Sequence, residues 1–277
     1  MSIQVILGNS GSGKSTWLYD QVIRESGTHP RKKFLFLVPE QFTMQTQKEF
    51  VDRHPKHSIL NIDVLSFQRL AYRVFDDLGM MDFVVLEETG KNLVLRKVAA
   101  QKENELEILG GNIRKTGYIS ELKSLLSELT QYHVALEDLE QVRSALEQKN
   151  ALWHKLSDIL TLYRGFEEFL KGRYVTADEI VSLLTKVAPE SGMLRDSVVV
   201  LDGYTGFTPV QNEFLEELLP LAQSVQVALT MDDREPFYGR PDLQDLFYLS
   251  KKTIQSLYDI AQRQGVEILE PVMLGDG

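Results

Sequence analysis

Gly8-Asn9-Ser10-Gly11-Ser12-Gly13-Lys14-Ser15 is the stretch on which the reading of this chain turns. It fits the pattern G-x-x-x-x-G-K-[ST] in full. Glycines let backbone N–H groups curl round a phosphate, a lysine in the Lys14 place reaches the β- and γ-phosphates, and a hydroxyl in the Ser15 place can sit on Mg²⁺. The apolar run Ile3–Leu7 just before it predicts a short buried strand. The stretch from Ser15 to about Glu25 predicts a helix whose positive end faces the same anion. With Thr16 taken as the last residue of the loop, Gly8–Thr16 is the expected ATP site.

Working outward, strand and helix signals alternate. Phe34-Leu35-Phe36-Leu37-Val38, closed by Pro39, reads as a continuous apolar strand of the kind buried in parallel sheets. A helix is predicted from about Gln41 to Val51, a strand over Ile59 to Leu65 and a helix through Phe67, Leu70 and Phe75. Such alternation makes a βαβ parallel sheet the natural assembly.

From about Glu87 to Val187 the apolar period becomes helical, with Leu93 and Val98, Leu122-Leu125-Leu126-Leu129, and Leu152 to Leu170 as its markers. Thr176 and Glu179 have the spacing of a capping box for a helix running to about Val187. No convincing strand is legible there. The α/β pattern returns with a buried strand over Ser197–Leu201 ending in Asp202, a helix after Pro209 and a strand over Val225–Thr230. A long helix from about Leu243 to Gln264 and a weak strand near Val266–Leu269 follow, with no closing element after them. The expected architecture is an α/β domain formed by 1–86 and 190–277, interrupted by a helical subdomain over 87–189.

Composition removes several chemistries. The chain of 277 residues has no cysteine, which excludes disulfides, thiolate metal sites and a cysteine nucleophile from this stretch. No apolar run is long enough to span a bilayer, and Ile3–Leu7 is too short for a signal-peptide core, so no membrane partner and a cytoplasmic location are expected. His54 and His57 lie in a charged, proline-containing stretch and read as a solvated loop. The net charge of −10 argues against a dedicated nucleic-acid-coating protein. A local basic track is still possible, at Arg31-Lys32-Lys33, Arg53 with Lys56, or Arg69 with Arg73; each is equally readable as solvated surface charge.

A phosphate loop needs an acidic residue at the end of a neighbouring strand to hold Mg²⁺. Asp202, after Val198-Val199-Val200-Leu201, is the candidate; the alternative is a plain Asp-Gly turn. The long, largely helical stretch between Lys14 and Asp202 is unusual for small-molecule kinases and usual for superfamily 1 helicases.

Four segments then carry a specific resemblance: Gly8 to Ser15, FLVPEQFTMQ from Phe36 to Gln45, VLSFQRLAYRVF from Val64 to Phe75, and VLDGYTGFTPVQ from Val200 to Gln211. In this order and spacing the chain resembles the N-terminal part of the AddB (RexB) family, second subunits of the AddAB helicase–nucleases that process DNA breaks. The resemblance implies a RecA-like, superfamily 1 motor fold and a heterodimer with an AddA-like helicase–nuclease subunit. It also implies work on single- and double-stranded DNA ends, and an iron–sulfur cluster held elsewhere in the full-length protein.

Active superfamily 1 motors carry D-E-x-Q-D after the metal-binding strand. Here Asp202 is kept, but Gly203 stands at the general-base glutamate, Thr205 at the glutamine and Gly206 at the second aspartate. Losing such a base costs about 10²–10⁴-fold in rate. The next strand is followed by Thr230-Met231-Asp232-Asp233-Arg234-Glu235 instead of the helicase G-D-x-x-Q. The resemblance therefore implies a degenerate motor that holds ATP and hydrolyses it little or not at all. It places Gln41, Thr43, Ser66, Phe67 and Arg69 against the single-stranded DNA backbone, with Phe67 as the stacking ring; core packing for Phe67 and helix capping for Ser66 are the structural alternatives. Two other functions fit the loop less well: a P-loop kinase acting on a small molecule, and an architectural docking domain with a vestigial loop.

Overall fold

A computed structural model describes every residue except 58, 81–83, 112–114, 149, 233, 237–240 and 276–277, and all but the side chain of Thr116 among the rest. Asp233 of the expected sensor segment thus lies outside the described residues. In chain order the elements are β1 (Ser2–Gly8), α1 (Lys14–Thr28), β2 (Phe34–Leu37), α2 (Thr43–Arg53), β3 (Ile62–Leu65), α3 (Phe67–Asp77), β4 (Val84–Leu86) and α4 (Glu88–Lys102). Then come α5 (Thr116–Gln131), α6 (Leu136–Ser144), α7 (Ala151–Leu170), β5 (Tyr174–Thr176) and α8 (Ile180–Val187). The series closes with β6 (Val198–Leu201), α9 (Pro209–Leu218), β7 (Ser224–Thr230), α10 (Tyr248–Gln264), β8 (Glu267–Ile268) and β9 (Val272–Leu274). The chain divides into two compact units, 1–80 with 181–277, and 81–180.

The first unit is built on a seven-stranded sheet of order β3-β2-β6-β7-β1-β8, with β9 also paired to β1. Every pairing in it is parallel. The sequence reason is plain in β2 (FLFL) and β6 (VVVL), whose residues are all buried because helices must cover both faces of a parallel sheet. On one face Tyr19, Phe36 and Phe50 meet ring to ring at 4.9–5.3 Å. Each fully buried ring of this size stabilises the fold by about 1.5–3 kcal/mol.

Two expectations for this unit are corrected. The long helix begins at Tyr248 instead of Leu243, because Leu243 and Leu246 are 82% and 88% exposed and give a helix there no face to bury. A closing element does exist: β9 pairs in register with Ile6–Gly8.

The second unit is a helical lobe whose core is formed by Leu95, Ile119, Leu122, Leu126, Leu162 and Phe166. Leu93, an expected core position, is exposed. The lobe also contains the strand that sequence reading missed, since β5 pairs in parallel with β4 from Tyr174 to Thr176. Three residues are too few to set a period. The Glu179 carboxylate accepts from the Thr176 N–H at 2.7 Å and hydroxyl at 2.9 Å, so only one half of the capping box forms, and a turn intervenes before α8.

Two buried polar centres fix this lobe. Asp158, nearly inaccessible, accepts the backbone N–H groups of Glu107, Ile108 and Leu109 at 2.8–2.9 Å. Lys91, equally buried, donates to Asp178 and to Ser127. Burial pushes the Asp178 carboxyl up, but the Lys91 ammonium and further donors outweigh it and hold the group below the usual range.

Candidate functional site

Every strand of the large sheet points its C-terminal end the same way, so the segments that follow β1, β2, β3 and β6 gather at one rim. The phosphate-type loop runs from the end of β1 into α1. Gly8 is enforced by packing: a Cβ there would lie 2.4 Å from the Leu274 carbonyl oxygen and 2.4 Å from Ser12 Oγ. Gly11 and Gly13 both have φ near +85°, the left-handed region that L side chains avoid. Gly13 caps α1 with no side-chain hydrogen bond, so the first-turn N–H groups stay available to an anion. Ser12 Oγ is buried in the loop and unpartnered.

Lys14 Nζ folds back onto the loop, donating to the Gly8 carbonyl at 2.8 Å and the Asn9 carbonyl at 2.7 Å. Burial lowers its pKa, while the nearby Asp202 carboxylate works the other way. Asp202 stands just past the end of β6, its backbone N–H donating to the Leu37 carbonyl of β2 at 3.0 Å. One expectation is refined here, because β6 is not the immediate neighbour of β1: β7 lies between them. Even so, the Ser15 hydroxyl and the Lys14 ammonium both lie near enough to the Asp202 carboxylate to act on it. Burial raises the Asp202 pKa, with the Ser15 hydroxyl, the Gly203 N–H and Lys14 opposing. A hydroxyl and a carboxylate near one another at an uncapped helix start are a donor set suited to Mg²⁺, which takes one or two protein oxygens and fills its octahedron with water and phosphate.

Gly203 lies at φ +79°, and a Cβ on it would face Pro39 and Phe42 at ordinary contact distances. This links the Asp202 strand end to the turn after β2. The five residues expected to touch DNA cluster there and at the start of α3, but they are not equivalent. Gln41 and Arg69 are exposed. Thr43, Ser66 and Phe67 are buried, at 3%, 5% and 4% exposure, which leaves little of their side-chain surface for a strand of DNA. Ser66 caps α3 by accepting from the Arg69 N–H, and Phe67, the first helical residue, packs edge-on against Tyr204, Phe207 and Phe214. A ring so enclosed has no face to offer a base.

Sequence reasoning missed the residue that organises this cluster. Glu40 accepts from the Ser66 hydroxyl through one carboxylate oxygen and from Arg69 Nε at 2.8 Å through the other, while its backbone carbonyl accepts from Thr43 Oγ1 at 2.9 Å. Burial pushes the Glu40 carboxyl up, but Ser66 and Arg69 together outweigh it and hold the pKa below the usual range. Phe42, 44% exposed, is the aromatic that does face solvent. The Tyr204 hydroxyl is buried without a partner, and burial and Glu40 drive its pKa far upward.

A parallel sheet of this order, with a G-x-x-x-x-G-K-S turn on β1 and an aspartate at the end of β6, defines an α/β protein of the RecA-like class. Within that class the affiliation is specific: the family described as "ADDB, N-terminal" matches residues 5–277, and the chain belongs to it. Relatives named as the B-type subunit of an ATP-dependent helicase/deoxyribonuclease come from Lachnoclostridium phytofermentans (45% identical) and Desulforudis audaxviator (36% identical), each match covering 99% of this chain and 24% of the relative. One of the same name from Caldanaerobacter subterraneus is 32% identical over all of this chain and 24% of its own length. The chain thus spans about a quarter of the relatives it matches. No helix among the described residues is long and apolar enough to cross a membrane.

Proposed function

We propose that this chain is the nucleotide- and single-strand-holding module of the B-type subunit of an ATP-dependent helicase/deoxyribonuclease that acts in double-strand-break repair by recombination. ATP is held at Gly8–Thr16, with Ser15 and Asp202 as Mg²⁺ ligands. The observation that carries the reading is the glycine loop after β1, with Gly11 and Gly13 at positive φ, running into the uncapped end of α1 with Lys14 and Asp202 near enough to act on each other's charge. The motor is degenerate: Gly203 supplies no carboxylate to activate water, and no acidic residue follows Asp202 until Glu213. ATP binding thereby persists with little or no turnover by this chain.

Gln41 and Arg69 meet the backbone of a single strand, and Phe42 offers the ring face that Phe67 does not. An AddA-like helicase–nuclease subunit is the partner and DNA ends are the substrate of the pair. Titration with a fluorescent ATP analogue, with and without Mg²⁺, tests the core of this reading. Wild type should bind in a Mg²⁺-dependent manner and Lys14→Ala should lose at least tenfold in affinity. Equal binding by both would leave an architectural domain with a vestigial loop.

A further inference from the structure

The parallel sheet has a second rim, at the N-terminal ends of its strands, and α1 and α2 run back to it from the phosphate-loop side. There the two basic runs that sequence reading left unassigned converge. Asn61, at the entrance to β3, ties them together: its side-chain amide donates to the carbonyls of Ser26, His29 and Lys32 at 3.1–3.3 Å. The result is a groove of about 600 Å³ lined by Arg24, Arg53, His54 and Lys56, with Arg31-Lys32-Lys33 following directly from its Pro30 wall.

We propose that this rim is a second nucleic-acid contact, a cation track for phosphodiester groups, distinct from the Gln41–Arg69 surface. The proposal rests on reading the chain as a DNA-handling subunit. Acidic residues outnumber basic ones in this chain, 40 to 30. Yet Arg24, Arg31, Lys32, Lys33 and Lys56 have no acidic partner among the described residues, and all but the half-buried Lys32 are exposed. Asp20, the acid lining the groove, is spent on Arg53 at 3.6 Å. The C-termini of α1 and α2 offset about half a charge each, which leaves the rim strongly positive. The scaffold is preformed: besides Asn61, the His57 ring holds the Val51 carbonyl at 3.2 Å with its own backbone at φ +47°. Full charges on a fixed frame, fanned over the end of α1 and the two loops before β2 and β3, suit a repeating anion.

The test is fluorescence anisotropy of this chain with duplex and single-stranded oligonucleotides across a salt series. Arg24, Arg31, Lys32, Lys33 and Lys56 are changed together to Gln. Each phosphate contact contributes about −0.9 to the slope of log K against log salt for duplex and about −0.7 for single strands. The quintuple variant should lose at least tenfold in affinity at low salt and flatten the slope by about three contacts or more. Comparing the two oligonucleotides shows which form the rim holds. A control neutralising five exposed cations elsewhere (Lys155, Lys171, Lys186, Arg195 and Lys252) makes the same change in net charge and should leave the slope unchanged. Arg69→Ala probes the other surface and should weaken single strands whatever happens at the rim, so the two readings fail separately. Unchanged slope and affinity in the quintuple variant would overturn the proposal. So would an equal effect in the control, or a groove that captures a Glu-rich peptide while its neutralisation leaves DNA binding intact.

Discussion

Restoring the missing general base is the direct way to challenge the degenerate-motor reading, and the structure says what Gly203→Glu should do. Gly203 has φ +79°, where an L side chain costs about 1–2 kcal/mol. Space is not the obstacle, since the nearest atoms to an added Cβ are Pro39 Cδ at 3.5 Å and Phe42 Cδ2 at 3.8 Å. The variant should therefore fold, with Tm lower by roughly 2–8 °C for a protein of this size. Gly203→Ala carries the same backbone strain without the carboxylate and should show a similar drop.

Turnover should not return, for two reasons. The new side chain leaves the backbone toward the Pro39–Phe42 turn. In superfamily 1 motors, moreover, a second domain contributes the arginine that stabilises transition-state charge, worth about 10³–10⁵ in rate. Phosphate release with and without single-stranded DNA is the assay, with Lys14→Ala as background. DNA-stimulated hydrolysis by Gly203→Glu that disappears in the Lys14→Ala, Gly203→Glu double variant would refute the reasoning; so would robust hydrolysis by wild type.

Three further outcomes concern single carboxylates. Asp202→Asn should raise the Tm of the nucleotide-free chain while weakening Mg²⁺-dependent nucleotide binding. Burial raises the folded pKa of Asp202, so the associated stability is present below the unfolded pKa and lost as pH rises through the folded one; at neutral pH the ionised group costs stability. Asp158→Ala leaves three backbone N–H groups without their acceptor, that of Leu109 buried, and should destabilise the helical lobe by about 1–3 kcal/mol, measured by denaturant unfolding and by hydrogen exchange at Glu107–Leu109. Glu40 has the opposite sign to Asp202. Its depressed pKa gives stability that is complete above the unfolded carboxylate pKa and lost as pH falls through the folded value, so Glu40→Gln should flatten the acid limb of the pH–Tm curve.

The phosphate loop, the buried strands and the helical insertion were legible because each is local: a glycine pattern, an apolar run, a 3.6-residue period. Sequence could not show that β7 separates β1 from β6, since burial patterns carry no pairing partner. Nor could it show which of Gln41, Thr43, Ser66, Phe67 and Arg69 reach solvent. That depends on Glu40, which joins segments far apart in the chain, and on an aromatic box whose other walls come from the stretch after Asp202. Asp158 was invisible for the same reason. A lone aspartate in a helical period reads as a solvated position until the loop it clasps is in place.

The order of pairing in the sheet bears on how the chain acquires its shape. β1 precedes β7, β8 and β9, its partners in the sheet, by more than 200 residues. Residues 81–180, by contrast, form a unit contiguous in sequence, its most distant pairing, β4 with β5, spanning about 90 residues. Loop-closure entropy favours such local structure early and penalises joining distant ends. The helical lobe is thus equipped to form before β7 emerges, and β1 waits, edge-exposed, for the segment that carries β7, β8 and β9. Leu274, whose carbonyl fits against Gly8, is the contact that completes it. Ordering of the Gly8–Gly13 loop then reports that the sheet has closed on both sides of β1.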